Sequence, residues 1–181
     1  NNDARYYVQA RAIDGAGNTG AWTGQTSWYF VLDNTVPAVS NISNNGVTCV
    51  KDGDEVTITF DWTELNLGDE PTVAIYSSDG ETLIGYAEFE SVDDEDAPIY
   101  HYTYIYTVDT DGEDYQDVQI QVSGSDCAGN NASTGTLTNA FHIDNTAPVV
   151  SNISDGGVTC ANNGDVVTIT FDWTELNLGS N

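Results

Sequence analysis

Apolar and polar residues alternate from Val56 to Trp62, where threonine and aspartate separate valine, isoleucine, phenylalanine and tryptophan. A period of two indicates a strand with one buried face. Comparable runs predict further strands after Pro37 and at residues 47–50, 72–77, 82–91, 99–108, 115–124 and 134–143. About seven short strands, separated by turn residues, predict an all-β Greek-key sandwich.

The chain contains a long internal repeat. The segment from Phe30 to Gly68 recurs without a gap from Phe141 to Gly179, and VTITFDWTELNLG is identical in both copies. The two copies start 111 residues apart, and the stretches IDGAGNTG and SDCAGNNA match at nearly the same spacing. A period of this length indicates tandem domains with a common fold.

The repeat predicts three segments. Residues 1–29 are the last strands (F and G) of a preceding repeat, 30–140 are one complete repeat, and 141–181 are the first strands (A and B) of the next. Because both ends fall within repeats, we expect the chain to be a window on a longer array. An alternative is that neighbouring subunits complete the two partial repeats by strand exchange.

The order of motifs DNTxP, GDxVTITFxWTE and DxAGN resembles the immunoglobulin-like repeats of large bacterial and archaeal surface proteins, over essentially the whole chain. The resemblance implies tandem Greek-key immunoglobulin-like β-sandwich domains in an extracellular, cell-surface setting. Such repeats serve as stalks, adhesins and surface-layer building blocks. The pairing of AxDxxGN with DNxxP also resembles, more loosely, the calcium linkers of cadherins.

The charge of the chain restricts its partners. With 29 acidic and 3 basic residues the net charge is −26, which excludes nucleic acid and disfavours anionic membranes as partners. No apolar run approaches membrane-spanning length, so we expect no direct membrane insertion in this segment. The obvious small partners are cations, and the expected macromolecular partners are copies of the chain or neighbouring repeats.

Calcium at the repeat junctions is the sharpest functional hypothesis, since this ion takes six to eight oxygen ligands from carboxylates, amides and carbonyls. In a Greek-key sandwich the loop with Asp126 and Asn130 meets the point where Asp33 and Asn34 enter the repeat. Equivalent residues at the adjoining junctions are Asp14, Asn18, Asp144 and Asn145. The alternative is that these residues only form tight turns.

A second acidic stretch with Asp109 and Asp111 resembles the opening of a calcium loop. It lacks the remaining spacing and the final glutamate of an EF-hand. A solvated acidic surface is the favoured interpretation of this stretch and of residues 93–96.

The cysteines predict crosslinks between repeats. Cys49 and Cys160 are equivalent, and Cys127 belongs to the loop between the predicted strands 115–124 (F) and 134–143 (G). A bond between Cys49 and Cys127 within one repeat is disfavoured, because a strand of about 20–30 Å separates them and a disulfide needs Cα atoms within about 7 Å. We expect disulfides between consecutive repeats or between chains; free thiols are the alternative.

Three Asn-x-Ser sequons, at Asn41, Asn131 and Asn152, are candidate glycosylation sites on an exported protein. Trp62 and Trp173 are predicted core residues. Trp22 and Trp28 have no counterparts in the second repeat; they either pack in a core or interface or stack on sugars.

The sequence predicts no enzyme. His101 and His142 share no motif with a nucleophile, and no phosphate loop, nucleophile elbow or metalloprotease helix occurs. The leading interpretation is a structural building block of a surface layer, sheath, filament or adhesin stalk, with junctions stiffened by calcium or disulfides. The alternative is a calcium-dependent module that binds a surface glycan or another partner.

Overall fold

The computed structural model describes residues 4–24 and 28–175, and all regular elements in this part of the chain are strands. The all-β prediction is therefore confirmed. Within the same residues there is no helix that is long and apolar enough to cross a membrane.

One four-stranded antiparallel sheet is built around the strand that shows the clearest alternation in the sequence. Its spatial order is β3, β5, β9 and β8, whose bounds are Ala38–Ser43, Glu55–Thr63, Ile99–Thr107 and Glu88–Asp93. The two central strands pair over nine residues, from Glu55 opposite Thr107 to Thr63 opposite Ile99. Every second residue of each strand consequently points to the same face.

A second four-stranded antiparallel sheet covers that face. Its order is β11, β10, β6 and β7, with bounds Gly135–Leu137, Gln119–Ser123, Thr72–Tyr76 and Leu83–Tyr86. A short parallel pair joins β4 (Cys49–Val50) to β12 (His142–Ile143). Both sheets contribute to one core, so residues 38–143 form a two-layer sandwich.

The core matches the alternation in the sequence. Trp62 is 1% exposed, and the largest side chains buried with it are Phe60, Phe141, Ile58, Ile75 and Ile120. Tyr102, Tyr104 and Tyr106 are buried on the same face of β9, as their spacing predicts, while Tyr100 is half-buried. The Tyr104 hydroxyl donates a hydrogen bond to the carbonyl of Pro71, which satisfies a polar atom inside the core.

Two predicted strands are interrupted. The predicted strand 82–91 divides at Ala87, whose N–H donates to the Val73 carbonyl; β7 before it pairs in one sheet and β8 after it in the other. The predicted strand 134–143 breaks at Asn139, which has a φ of 53°. Each of these two segments therefore contributes a strand to two different sheets.

Two-stranded sheets flank the sandwich: β1 (Ala4–Tyr7) with β2 (Tyr29–Leu32), and β13 (Val149–Ser154) with β14 (Thr170–Thr174). The β13–β14 register reproduces that of β3 and β5, including one bulge. Asn41 and Asn152 occupy the bulges with φ values of 52° and 51°. The sequence repeat is thus also a repeat of local structure.

Trp173 differs from its prediction as a core residue. It is 53% exposed although its counterpart Trp62 is buried, because β13 and β14 have no second sheet over them in the described part of the chain. Trp22 and Trp28 are also exposed, and the Arg11 guanidinium lies 4.7 Å from the centre of the Trp22 ring. The predicted packing of these two tryptophans in a core is not present in the described residues.

Candidate functional site

Three buried carboxylates meet at one end of the sandwich. Asp33, Glu64 and Asp126 are 7%, 4% and 4% exposed, and one oxygen from each lies within 4.8 Å of the others. Carboxylates are almost never buried unless they are paired with a cation or a metal. This cluster is therefore the strongest candidate site among the described residues.

Each carboxylate comes from a different segment. Asp33 follows β2 in the linker that enters the sandwich, Glu64 follows the last residue of β5, and Asp126 lies in the loop after β10. The loops after β5 and β10 are held together, since the Cys127 N–H donates to the Asn66 carbonyl at 3.1 Å. The end of a central strand therefore positions a glutamate beside a turn and a linker.

Hydrogen bonds fix most of the carboxylate oxygens. Asp33 accepts from the Asn66 amide at 2.7 Å, and Glu64 Oε1 accepts from the N–H groups of Leu65 and Asn66 at 2.6 and 2.8 Å. Asp126 accepts from the Asn130 side chain at 2.7 Å, and that amide also reaches the Asp33 carbonyl at 3.2 Å. The geometry is preorganised by the protein.

One oxygen of the cluster has no partner. Glu64 Oε2 is buried and accepts no hydrogen bond from the described residues. A buried acceptor left in this way costs roughly 1–3 kcal/mol, and more when it is charged. Its position beside two other carboxylates points to a positively charged ligand between them.

No lysine or arginine offsets this charge. Of the chain's Lys and Arg residues, all within the described ranges, Arg5 and Arg11 lie over aromatic rings in the first segment, and Lys51 lies beside Asp54 and Asp144 beyond the other end of β5. Two ionised carboxylates at such separations repel each other by roughly 3 kcal/mol at an effective dielectric constant of about 20. The cluster is therefore unfavourable without a cation or a bound proton.

Asp126 is held in its ionised form. Burial acts to raise its pKa, but hydrogen bonds from the Asn130 side chain and from the N–H groups of Asn130, Ala128 and Gly129 outweigh burial and lower the pKa. A lowered pKa keeps the carboxylate charged at neutral pH, as a metal ligand must be.

The structure brings Asp33, Asp126 and Asn130 together, as the motif spacing predicts. Sequence reasoning missed Glu64 and Asn66. Both lie in the ELNLG stretch that follows the strand and is identical in the two copies. The identity of the two copies continues past the end of the strand into this loop, and that was the available signal.

The loop of the preceding repeat has the same shape. Asp14 accepts from the N–H groups of Ala16 and Asn18 at 2.9 and 2.8 Å and from the Asn18 amide at 2.7 Å. The Asn18 side chain is the main cause that lowers the pKa of Asp14. Both residues are exposed. The turn therefore forms from local contacts alone.

The Asn145 side chain contacts the sandwich that precedes it in the chain. Its side chain accepts from the Asp52 N–H at 2.8 Å and donates to Thr110 Oγ1 at 3.0 Å and the Glu113 carbonyl at 2.9 Å. Asp114 accepts from the Asn145 N–H, and Thr146 Oγ1 donates to the same carboxylate at 2.6 Å. Asn145 thus anchors the linker beside the carboxylates of Asp52 and Asp114 and does not belong to the cluster of three buried carboxylates.

The other predicted metal ligands differ in their surroundings. Asn34 directly follows Asp33 in the linker and is exposed. Asp144 accepts from the Thr146 N–H at 3.1 Å. Asp109 and Asp111 are exposed in the loop after β9. None of these three aspartates belongs to the cluster of buried carboxylates.

The cysteines and sequons are on the surface. Cys49, Cys127 and Cys160 are exposed, and none is bonded to another. Asn41, Asn131 and Asn152 are exposed as well. The amides of Asn41 and Asn152 donate to Asp61 and Asp172 at 2.6 and 2.5 Å, so two of the acceptor nitrogens already serve the bulges. Their glycosylation stays a prediction.

Comparison with known proteins adds no relative. No family model matches the chain, and neither curated proteins nor solved structures give a significant match.

Proposed function

We propose that this chain is a non-enzymatic building block of an extracellular, prokaryotic cell-surface assembly such as a surface layer, sheath, filament or adhesin stalk. Tandem immunoglobulin-like repeats form the body of the assembly, and calcium stiffens the junctions between them. The buried carboxylates of Asp33, Glu64 and Asp126, placed where a linker enters the complete repeat, carry this proposal.

The strand arrangement supports the Greek-key immunoglobulin-like assignment. The paired central strands of one sheet, β5 and β9, are separated in the chain by β6 and β7 of the other sheet, so the chain crosses between the layers. The short parallel pairing of β4 with β12 places the exit strand beside the start of the repeat. Sandwiches of this kind present loops at both ends, where successive domains meet.

Calcium fits the ligand chemistry better than zinc does. The cluster offers only carboxylate oxygens, with amide and carbonyl oxygens nearby, and contains no histidine or cysteine ligand among the described residues. Because Asp33 belongs to the linker and the other two carboxylates to the sandwich, a bound cation ties the linker to the domain. The result is a rod instead of a flexible string.

Calcium removal tests the proposal. We expect calorimetric titration of the chelator-treated chain to show calcium binding, and saturating calcium to raise the melting temperature. At a free concentration about 100 times the Kd the stabilisation is about 2.7 kcal/mol, which corresponds to on the order of 10 °C. Absence of both effects would contradict calcium at the junction.

A further inference from the structure

We infer that Cys127 of one repeat forms a disulfide with the cysteine at the Cys49 position of the repeat that precedes it. The inference rests on the proposed tandem array. It deepens that proposal by naming the two partners and the junction that they connect.

Cys49 lies at the end of the sandwich where the chain leaves for the next repeat. It belongs to β4, and its backbone pairs with His142, two residues before Asp144 begins the linker. Cys49 lines one cleft with Asp144, Trp173 and Glu175, and the last two belong to the following copy. Its exposed thiol therefore already faces the next repeat.

Cys127 lies at the opposite end, where the chain enters the repeat. Its N–H donates to the Asn66 carbonyl at 3.1 Å, and Asn66 is two residues past Glu64. Glu175 is the counterpart of Glu64 in the following copy. In consecutive repeats, the loop that carries the second repeat's Cys127 thus adjoins the cleft that contains the first repeat's Cys49.

The two thiols of one repeat cannot reach each other. Cys49 lies near the start of β5 and Cys127 near its end, and a strand of nine residues spans roughly 30 Å. A disulfide requires Cα atoms within about 7 Å. A disulfide partner of either cysteine must therefore lie outside its own repeat.

Formation of this bond is a two-electron oxidation. The two thiols lose their protons and form one S–S bond, and a disulfide oxidant such as oxidised glutathione takes up both electrons and protons and becomes two thiols. The bond would lie beside the proposed cation site, because Asp126 directly precedes Cys127. The cation connects the linker to this loop, and the disulfide would connect the same loop to the preceding repeat.

The test uses an extended chain in which residues 1–144 are followed directly by residues 34–181. This fusion keeps β12 of the first copy and the tripeptide Asp-Asn-Thr of the linker, because Asn34 and Thr35 correspond to Asn145 and Thr146. In the forward variant, Cys49 of the first copy and Cys127 of the second are the only cysteines, and the others are changed to serine. In the reverse variant, the only cysteines are Cys127 of the first copy and Cys49 of the second.

With oxidised glutathione, we expect the forward variant to lose both free thiols and the mass of two hydrogens while it remains monomeric. The reverse variant should keep two thiols or acquire glutathione on each. Equal crosslinking in both variants, or only intermolecular dimers from the forward variant, would overturn the inference. A peptide map of the natural protein without reduction should show the same linkage, and a Cys49–Cys127 bond within one repeat would overturn it.

Calcium titration of the same two variants separates this inference from the proposed function. Calcium binding without the forward crosslink would overturn only the disulfide. The crosslink without calcium binding would leave the disulfide supported and contradict the calcium junction.

Discussion

Glu64 combines two properties that conflict in a protein without a ligand. Its carboxylate is buried, and one of its oxygens accepts no hydrogen bond from the described residues although two other carboxylates are close. The surrounding N–H groups satisfy the other oxygen, so the strain is confined to the side facing the cluster. A substitution at this residue therefore has opposite effects with and without a cation.

We expect Glu64→Gln to stabilise the calcium-free chain and to reduce its response to calcium. The amide removes one like charge and supplies a donor to its neighbours, which should raise the free energy of unfolding by about 1–3 kcal/mol. It also removes one charged ligand, so the increase in melting temperature with calcium should shrink or vanish. Thermal unfolding with calcium and with chelator measures both effects.

Glu88→Gln is the matched control for this experiment. Glu88 is an exposed glutamate on β8, and its substitution changes the net charge by the same amount. It should leave the calcium response intact. A full calcium response in Glu64→Gln would show that the cation binds elsewhere.

Strand β5 shows how much of an element's stability comes from its surroundings. The segment TFDWT is the same in β5 and β14, and both pair with a preceding strand in the same register. Within the described ranges only β5 has a sheet over its apolar face, so Trp62 is buried whereas Trp173 is 53% exposed. Propensity and pairing with the preceding strand are matched, whereas β5 also pairs with β9 and has its apolar face buried.

Trp62→Ala should therefore destabilise the sandwich by about 3–5 kcal/mol, the range for large aromatic residues removed from a core. Trp173→Ala should lower the same free energy of unfolding by less than about 1 kcal/mol, since it removes little buried area. Denaturant unfolding followed by near-ultraviolet circular dichroism of the buried tyrosines measures both. Equal losses would mean that the second segment packs as fully as the first.

These elements also show what the sequence can predict. Strands such as β5 and β9 follow from the period of two, because one of their faces is buried along its whole length. The division of the predicted strand 82–91 at Ala87 was missed because the pattern of residue types continues through this position. Only the pairing partners show that β7 and β8 belong to different sheets. Glu64 was missed for a related reason: its burial depends on loops that are distant in sequence.

Asp126 and Asn130 were accessible to prediction because their turn is local. The same contacts form around Asp14 and Asn18, although those two residues are exposed. Topology then placed this turn beside Asp33. The sequence therefore predicts the part of the site that follows from a turn motif and the strand order. It does not predict Glu64, because the burial of this residue requires loops that are distant in sequence to pack together.

At the scale of the whole molecule, the two copies of the tripeptide Asp-Asn-Thr contact the sandwich of residues 38–143 at its two ends. The first residue of one copy, Asp33, contacts the repeat that it enters through Asn66 and Asn130. The second residue of the next copy, Asn145, contacts the repeat that it leaves. The two copies together describe a connector that is held on both sides, which limits rotation at the junction.

Asn145→Ala should loosen this junction without unfolding the sandwich. It removes hydrogen bonds to Asp52, Thr110 and Glu113, with a local loss of about 1–2 kcal/mol. ¹⁵N relaxation should then give the β13–β14 segment a shorter rotational correlation time than the sandwich, whereas both should tumble together in the parent chain. Asn163→Ala, at an exposed asparagine in the loop between β13 and β14, is the control and should leave the two values equal. If Asn145→Ala also leaves them equal, the amide is not what holds the linker, and the hydrogen bonds of the Asn145 N–H and Thr146 Oγ1 to Asp114 are enough to hold it.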